Sequence, residues 1–288
     1  IAWLRSSFFL YYICIIRNQV ITNKIYMESN KTNATPKQTA PSKPKFKFPT
    51  EIVDLPSKGI VYPKDNPLSS GKVEMKYMTA KEEDIITNQA YIQKGIIVDK
   101  LLEALVVSED VDLGDMIVGD KNALLIASRV LGYGANYKFT YAGEDHEVDL
   151  STLEPKKFDE SLYTKGENKF TFQTPHSENL IEFQLMTDKL EKKVDAELRG
   201  YKKLNKSVQP EMSTRLKHMI LSVDGNVDKK DIREFVDNYF LARDAKALRD
   251  FIVKIQPDID FGFEIEKPNG DIEEIVIPIG ANFFFPDA

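Results

Sequence analysis

The sequence predicts an α+β fold: an N-terminal helical block, small antiparallel β-hairpins, a helical insert and a closing C-terminal hairpin. Three observations predict it. Apolar residues recur at helical spacing between Ile85 and Leu131. The period then drops to two at Tyr137, Phe139 and Tyr141. Near the end Ile259, Phe261, Phe263 and Ile265 alternate again before Pro268-Asn269-Gly270-Asp271, and an Asn-Gly pair is a strong hairpin signal.

In chain order the sequence divides into 1–26, 27–54, 55–186, 187–256 and 257–288. Residues 1–26 hold the one Trp (Trp3) and the one Cys (Cys14), and composition changes abruptly at Met27. The apolar run Phe8–Ile16 is too short to span a bilayer, which takes ~20 apolar residues. No small-residue cleavage site follows it. We therefore read 1–26 as an upstream extension, with the working protein beginning at Met27. That working protein lacks cysteine, which excludes disulfides, thiol catalysis and Cys-based zinc sites from it.

Residues 27–54 read as a flexible basic tail, rich in Lys, Thr, Ser, Asn and Pro. Leu55–Pro63 follows as a turn-rich strip, with Pro56 and Pro63 fixing φ and Gly59 permitting a positive φ. It reads as an extended arm on the body, whose Ile60-Val61-Tyr62 is free to add to a neighbouring sheet edge.

Thr79-x-x-Glu82 is a capping box, and one helix is expected from there through Ile85, Ile86 and Ala90 to Gly95. Val98, Leu101, Leu102, Leu105 and Val106 give a second helix. Asp120 is expected to cap a third, which buries Leu124, Leu125, Ala127, Val130 and Leu131 and ends at Gly132 and Gly134. A hairpin follows with its turn at Gly143-Glu144-Asp145 and return residues Val148 and Leu150. A second pairs Phe170 and Phe172 with Leu180–Leu185 across a loop at Thr174–Ser177. In the insert four stripes predict helices: Leu190–Tyr201, Met212–Ile220, Ile232–Phe240 and Leu248–Ile255.

The composition is 42% hydrophobic and 29% charged, with a net charge of -6, which argues against a general nucleic-acid binder. No residue set reads as catalytic, cofactor-binding or metal-ligating, so the chain is expected not to be an enzyme. Asp224-Gly225-Asn226-Val227-Asp228 begins like a calcium loop, but Lys229 stands where Gly is needed and Phe235 where a bidentate Glu is needed. It reads instead as a capping turn before Ile232. Glu82, Glu83 and Asp84 crowd a first helical turn, which suits the helix dipole better than general acid/base work. His146, His176 and His218 are far apart and read as surface or edge residues. Phe283, Phe284 and Phe285, followed by Pro286, either fold back on the body or dock on another chain, since burying a Phe is worth ~1.5–3 kcal/mol.

The order of motifs resembles the baseplate hub family of T4-like tailed phages. The resemblance rests on Leu55-Pro56-Ser57-Lys58-Gly59 with Tyr62-Pro63, and on Met78-Thr79 with Glu83-Asp84-Ile85 and Asn88. It continues through Gly119-Asp120, Arg129, Gly132-Tyr133-Gly134 and Asp149-Leu150-Ser151 with Leu153, and closes on Ile277-Pro278-Ile279 and Phe283-Phe284-Phe285-Pro286. It covers Leu55 to Leu153 and roughly the last thirty residues. The resemblance implies that some relatives carry paired cysteines at hairpins like 137–150 and 259–279, whereas here Tyr141, Val148, Ile265 and Ile275 are expected to hold them by packing.

The resemblance implies a structural or assembly component of a contractile-tail baseplate hub, located in the virion and in the host cytoplasm during assembly. The partners it implies are other hub, spike or tape-measure proteins, with a homo-oligomer possible. Nucleic acid, stable membrane insertion and cofactors are not expected. The alternatives are a tail-assembly chaperone absent from the finished particle and a cell-wall hydrolase. The residues expected to touch partners are Pro56, Gly59, Tyr62, Pro63 and the Phe283–Pro286 end. Met78, Thr79, Glu83, Asp84, Asn88, Gly119, Asp120, Arg129, Gly132 and Gly134 are expected to form the scaffold.

Overall fold

The computed structural model describes residues 48–204, 210–266, 270–279 and 283–284. The readings made for 1–26, for most of the basic tail, for the 268–271 turn tip and for Phe285 and Pro286 lie wholly or partly outside them. The fold is mixed α+β, as the periodicities predict.

Strand β1 (Thr50–Asp54) pairs antiparallel with β2 (Lys72–Lys76), Val53 opposite Val73 and Glu51 opposite Met75. The last five residues assigned to the flexible tail are thus a strand. Val73 and Met75 are buried while Lys72 and Glu74 are exposed, but two apolar positions among lysines are too few to announce a period. Residues 55–63 are not an extended arm either. They coil through successive turns, with Lys58 N–H donating to Leu55 O at 2.8 Å and Tyr62 N–H to Gly59 O at 3.2 Å. Leu55, Val61 and Tyr62 are core residues, so the expected sheet-adding strip is buried.

The single helix expected over 79–95 is two, α1 (Ala80–Ile86) and α2 (Gln89–Lys94). Asn88 causes the break: its side chain accepts from Ala90 N–H and Tyr91 N–H and starts a new helix. Gly95 ends α2 in the left-handed region, as expected. Helix α3 (Ile97–Leu105) buries Ile97, Leu101, Leu102 and Leu105 on one face.

Helix α4 (Val118–Tyr133) is the axis of the molecule, buried along most of its length. Leu124 packs into the larger core with α1–α3 and the later helices, while Leu125 and Ile126 pack into a second core. That second core is built from hairpin β3 (Asn136–Tyr141) and β4 (Glu144–Asp149), together with hairpin β8 (Gly262–Glu266) and β9 (Ile272–Val276). Val148 and Ile275 are buried there and Tyr141 and Ile265 lie partly buried against it, so packing does hold the hairpins. The Phe139 and Phe263 rings meet edge-on at 5.5 Å. The β3–β4 turn is Ala142-Gly143, both at positive φ; Glu144 and Asp145 already lie in the strand.

The insert is not all helical. Helix α5 (Asp188–Leu204) and α6 (Glu211–Met219) are followed by strand β7 (Ile220–Val223). It joins β5 (Phe170–Gln173) and β6 (Leu180–Phe183) in a three-stranded sheet of order β5-β6-β7. Ile220 was read as the end of a helical stripe because a strand of four residues continues the apolar run without a spacer. Helix α7 (Lys229–Glu234) runs into a π-helical turn at Phe235–Tyr239, and α8 (Ala242–Ile255) completes the insert. Asp228 caps α7, as read, while Met212 and Tyr239 lie exposed rather than in the core stripes. Among the described residues no helix is long and apolar enough to cross a membrane.

Candidate functional site

Several of the residues that carry the sequence resemblance meet at the two ends of α4. At the N-terminal end the centre is Asp120. It does not cap the helix: Ile117 holds the cap position and Asp120 lies in the first turn. Its carboxylate faces the 55–62 turns instead. Ser57 N–H donates to Oδ1 at 2.8 Å, and the Ser57 and Tyr62 hydroxyls both donate to Oδ2 at 2.6 Å. The Tyr62 oxygen in turn accepts the Ile117 N–H at 3.0 Å. Tyr62 therefore satisfies one of the free N–H groups at the helix start, the task expected of Asp120.

Ser57, Asp120 and Tyr62 are all buried. Burial pushes the Asp120 carboxyl up to about 6. The Ser57 and Tyr62 hydrogen bonds pull it back, and nearby Asp258 adds to the rise. Burial likewise raises the Tyr62 phenol well above its ordinary value, and the Asp120 charge adds to this.

Two close backbone approaches shape the same region. A Cβ on Gly59 would lie 2.5 Å from Ser69 O, and a Cβ on Gly71 would lie 2.7 Å from the Lys58 carbonyl carbon. The paired glycines let the two turns cross in contact. Gly119 sits tighter: a Cβ there would lie 1.8 Å from Pro257 O. The 257–259 segment is pinned beside it, with Asn122 Nδ2 donating to Asp258 Oδ1 at 2.9 Å. Gly119-Asp120 thus reads as one device, the glycine admitting one chain and the aspartate holding another.

At the C-terminal end Arg129 is buried and donates to Gly134 O at 2.6 Å and Asn136 O at 2.9 Å. Arg129 thus ties the helix exit to the start of β3. Gly134 follows the last helical residue at positive φ, so it is the exit. Gly132 is not an exit: it lies inside the helix, where a Cβ would come 2.9 Å from Met78 Cε. Met78 and Gly132 therefore lock α4 to the start of α1. Glu82 accepts from Thr79 N–H at 3.0 Å, from the Thr79 hydroxyl at 2.6 Å and from Lys76 at 2.8 Å. Its burial favours the neutral acid, but the Lys76 and Thr79 hydrogen bonds win and hold the carboxyl below its ordinary value. Glu83 and Asp84 are exposed.

The expected partner contacts divide. Pro56, Gly59 and Tyr62 are buried and only Pro63 is exposed. Phe283 folds back completely, its ring 5.2 Å from Tyr137, and Phe284 is half-buried beside it.

Two networks escaped the sequence reading. Asp244, fully buried, accepts from the backbone N–H groups of His176 and Ser177 at 3.0 Å and from Ser177 Oγ at 2.8 Å, with His176 Nδ1 at 2.9 Å. His218 is not a surface residue but packs against Glu197 at 3.0 Å, beside the bidentate Arg233–Glu197 pair. His146 is half-buried, stacked on Phe139 at 5.5 Å. These residues are far apart in sequence and no local spacing announces them.

No protein-family model matches this chain, no curated protein matches it in sequence, and no solved structure matches it.

Proposed function

We propose that this chain is a structural or assembly component of the baseplate hub of a contractile-tailed phage, acting through protein–protein contacts. One observation carries the reading. The residues on which the resemblance rests are spread along the sequence, yet Ser57, Tyr62 and Asp120 close on one another in a solvent-excluded clamp. Both Asp120 oxygens are engaged by the protein's own donors. Such a cluster suits a scaffold that fixes surfaces for partners better than a site that turns over substrate. Glu82, the best-placed acid of the 82–84 cluster, is likewise occupied by Thr79 and Lys76.

On this reading the chain works in the tail baseplate, and in the host cytoplasm while the baseplate forms. The test is native co-purification from infected cells. Recovery with hub, spike or tape-measure proteins is the expected result; recovery of the chain alone overturns the proposal. Mass spectrometry of purified virions then separates a resident subunit, which is present, from an assembly chaperone, which is absent.

A further inference from the structure

In the β1–β2 ladder, Leu55 N–H donates to Gly71 O at 2.8 Å and Tyr77 N–H to Pro49 O at 3.1 Å, one at each end of the register. Odd-numbered residues of β1 therefore bond inward to β2. By the alternation of an antiparallel ladder, Thr50, Ile52 and Asp54 turn their backbone groups the other way. All three residues are exposed, and Ile52 keeps 62% of its surface. Among the described residues no strand pairs with that side of β1. The far side of β2 is occupied, since Val107 N–H donates to Glu74 O at 2.9 Å.

Soluble proteins guard open edges with lysine, proline, a bulge or an inward charge. Here the centre of the edge is isoleucine. The exposed apolar residues Phe48, Tyr77 and Val107 gather at the same hairpin, with Lys76 Nζ 5.5 Å from the Phe48 ring centre.

We propose that β1 is a self-association edge, which pairs antiparallel with β1 of a second copy about a two-fold axis through Ile52. The result is one sheet of order β2–β1–β1–β2 across two protomers. The edge is self-complementary in this register. Ile52 meets Ile52, Thr50 meets Asp54 and Glu51 meets Val53, so no like charges face each other across the new seam. Asp54 keeps its own Lys72 at 3.2 Å. On the outer face the rows run Lys76–Thr50–Asp54–Lys72 and Glu74–Ile52–Ile52–Glu74, with the apolar pair central and charge outside. A shift that brings Glu51 opposite Glu51 loses this. Because the outer face of the hairpin mixes Asp54 and Glu74 with Lys72 and Lys76, it selects no strongly charged peptide, whereas an isologous copy sets no like charges directly opposite. The proposal does not depend on the baseplate reading.

Sedimentation equilibrium of the full chain tests it, with Ile52→Pro and Ile52→Lys as variants. Proline removes an outward N–H and spares the β2 ladder; lysine keeps the strand but sets two charges face to face. The expected result is a concentration-dependent dimer weakened at least tenfold in both variants, with unchanged circular dichroism. In a Cys14→Ser background, Ile52→Cys is expected to cross-link to itself with a short bis-maleimide, since cross-strand Cβ atoms in a hydrogen-bonded pair lie ~5.5 Å apart. Glu74→Cys, one strand further out in each copy, is not. A wild-type chain that stays monomeric at every concentration overturns the proposal. So does a dimer that both Ile52 variants retain, or one in which Ile52→Cys fails to cross-link.

Discussion

Tyr62 and Asp120, 58 residues apart in sequence, share a 2.6 Å hydrogen bond inside the protein, and the same Tyr62 oxygen accepts the Ile117 N–H. One phenol thus ties the 55–62 turns both to a side chain and to the free end of a helix. A buried donor left without a partner costs ~1–3 kcal/mol. Tyr62→Phe is therefore expected to lower the unfolding free energy by about 1–3 kcal/mol. Asp120→Asn is expected to cost more, because its one amide oxygen faces either the two hydroxyls or the Ser57 N–H, and its NH2 is turned on the donor left over. Urea denaturation of the two single variants and the double variant checks this. Fully additive losses would show that the two residues do not act together.

Asp120 also makes a pH prediction. Its folded pKa, about 6, lies above the ordinary 3.8. The folded protein then binds a proton more readily than the unfolded chain, so this group's contribution to stability rises as pH falls from about 6 toward 3.8. The full difference is on the order of 3 kcal/mol. Carboxyl carbon-13 titration is expected to show an Asp signal moving near pH 6 that vanishes in Asp120→Asn. If that variant leaves every Asp signal titrating around pH 6 in place, the assignment is wrong.

Glu197 works in the opposite sense. The Arg233 hydrogen bonds, helped by His218, hold its carboxyl down to about 2 from 4.5, against a smaller desolvation effect. Its stabilising contribution is present above pH 4.5 and is lost as pH falls toward 2. Arg233 is partly exposed, so solvent screening limits the effect to about 1 kcal/mol. Glu197→Gln is expected to flatten acid unfolding in that window; an unchanged slope would count against the pair.

The three glycines of the helix ends should rank by what a methyl group meets. Gly119→Ala drives a carbon into the Pro257 carbonyl, which is backbone, and is expected to cost ~3 kcal/mol or more, with most protein misfolded. Gly132→Ala meets the Met78 side chain, most closely its flexible end, and Gly134→Ala meets open space at a strained φ. Helix propensity offsets the Met78 clash at Gly132, so that variant should change stability by less than ~1 kcal/mol, whereas Gly134, at φ 83 and ψ 170, holds a conformation kept for glycine and its variant should cost ~1–3 kcal/mol. Thermal melts check the order, and a Gly119→Ala melt equal to the other two would refute the close approach.

Phe283→Ala is expected to destabilise by about 3–4 kcal/mol through the cavity left beside Tyr137 and Phe284. Limited proteolysis should then cut near Pro278, whose carbonyl accepts the Tyr137 hydroxyl at 2.7 Å. Wild-type resistance in the variant would mean that the C-terminal end does not hold the hairpins.

The sequence by itself determined the α+β class, the helices carrying long apolar stripes, the hairpins at 136–149 and 262–276, and the capping box at Thr79. These are written in local periodicity and in turn residues, which act within a few positions of themselves. Strands β1, β2 and β7 were hidden because four or five residues hold too few alternations to stand out from their surroundings. Asn88 looked like one polar residue in a helix, since a cap differs from an interior residue only in the backbone that precedes it. Only the tertiary structure decided what Asp120 is for. A carboxylate in a first helical turn suits a cap by local rules, but Ser57 and Tyr62 arrive from a distant segment and claim it. The same holds for Gly119 against Pro257, for Asp244 beneath His176, and for the burial of Val61 and Tyr62. Partners far apart in sequence meet only when the cores close, and no spacing within either segment encodes that meeting.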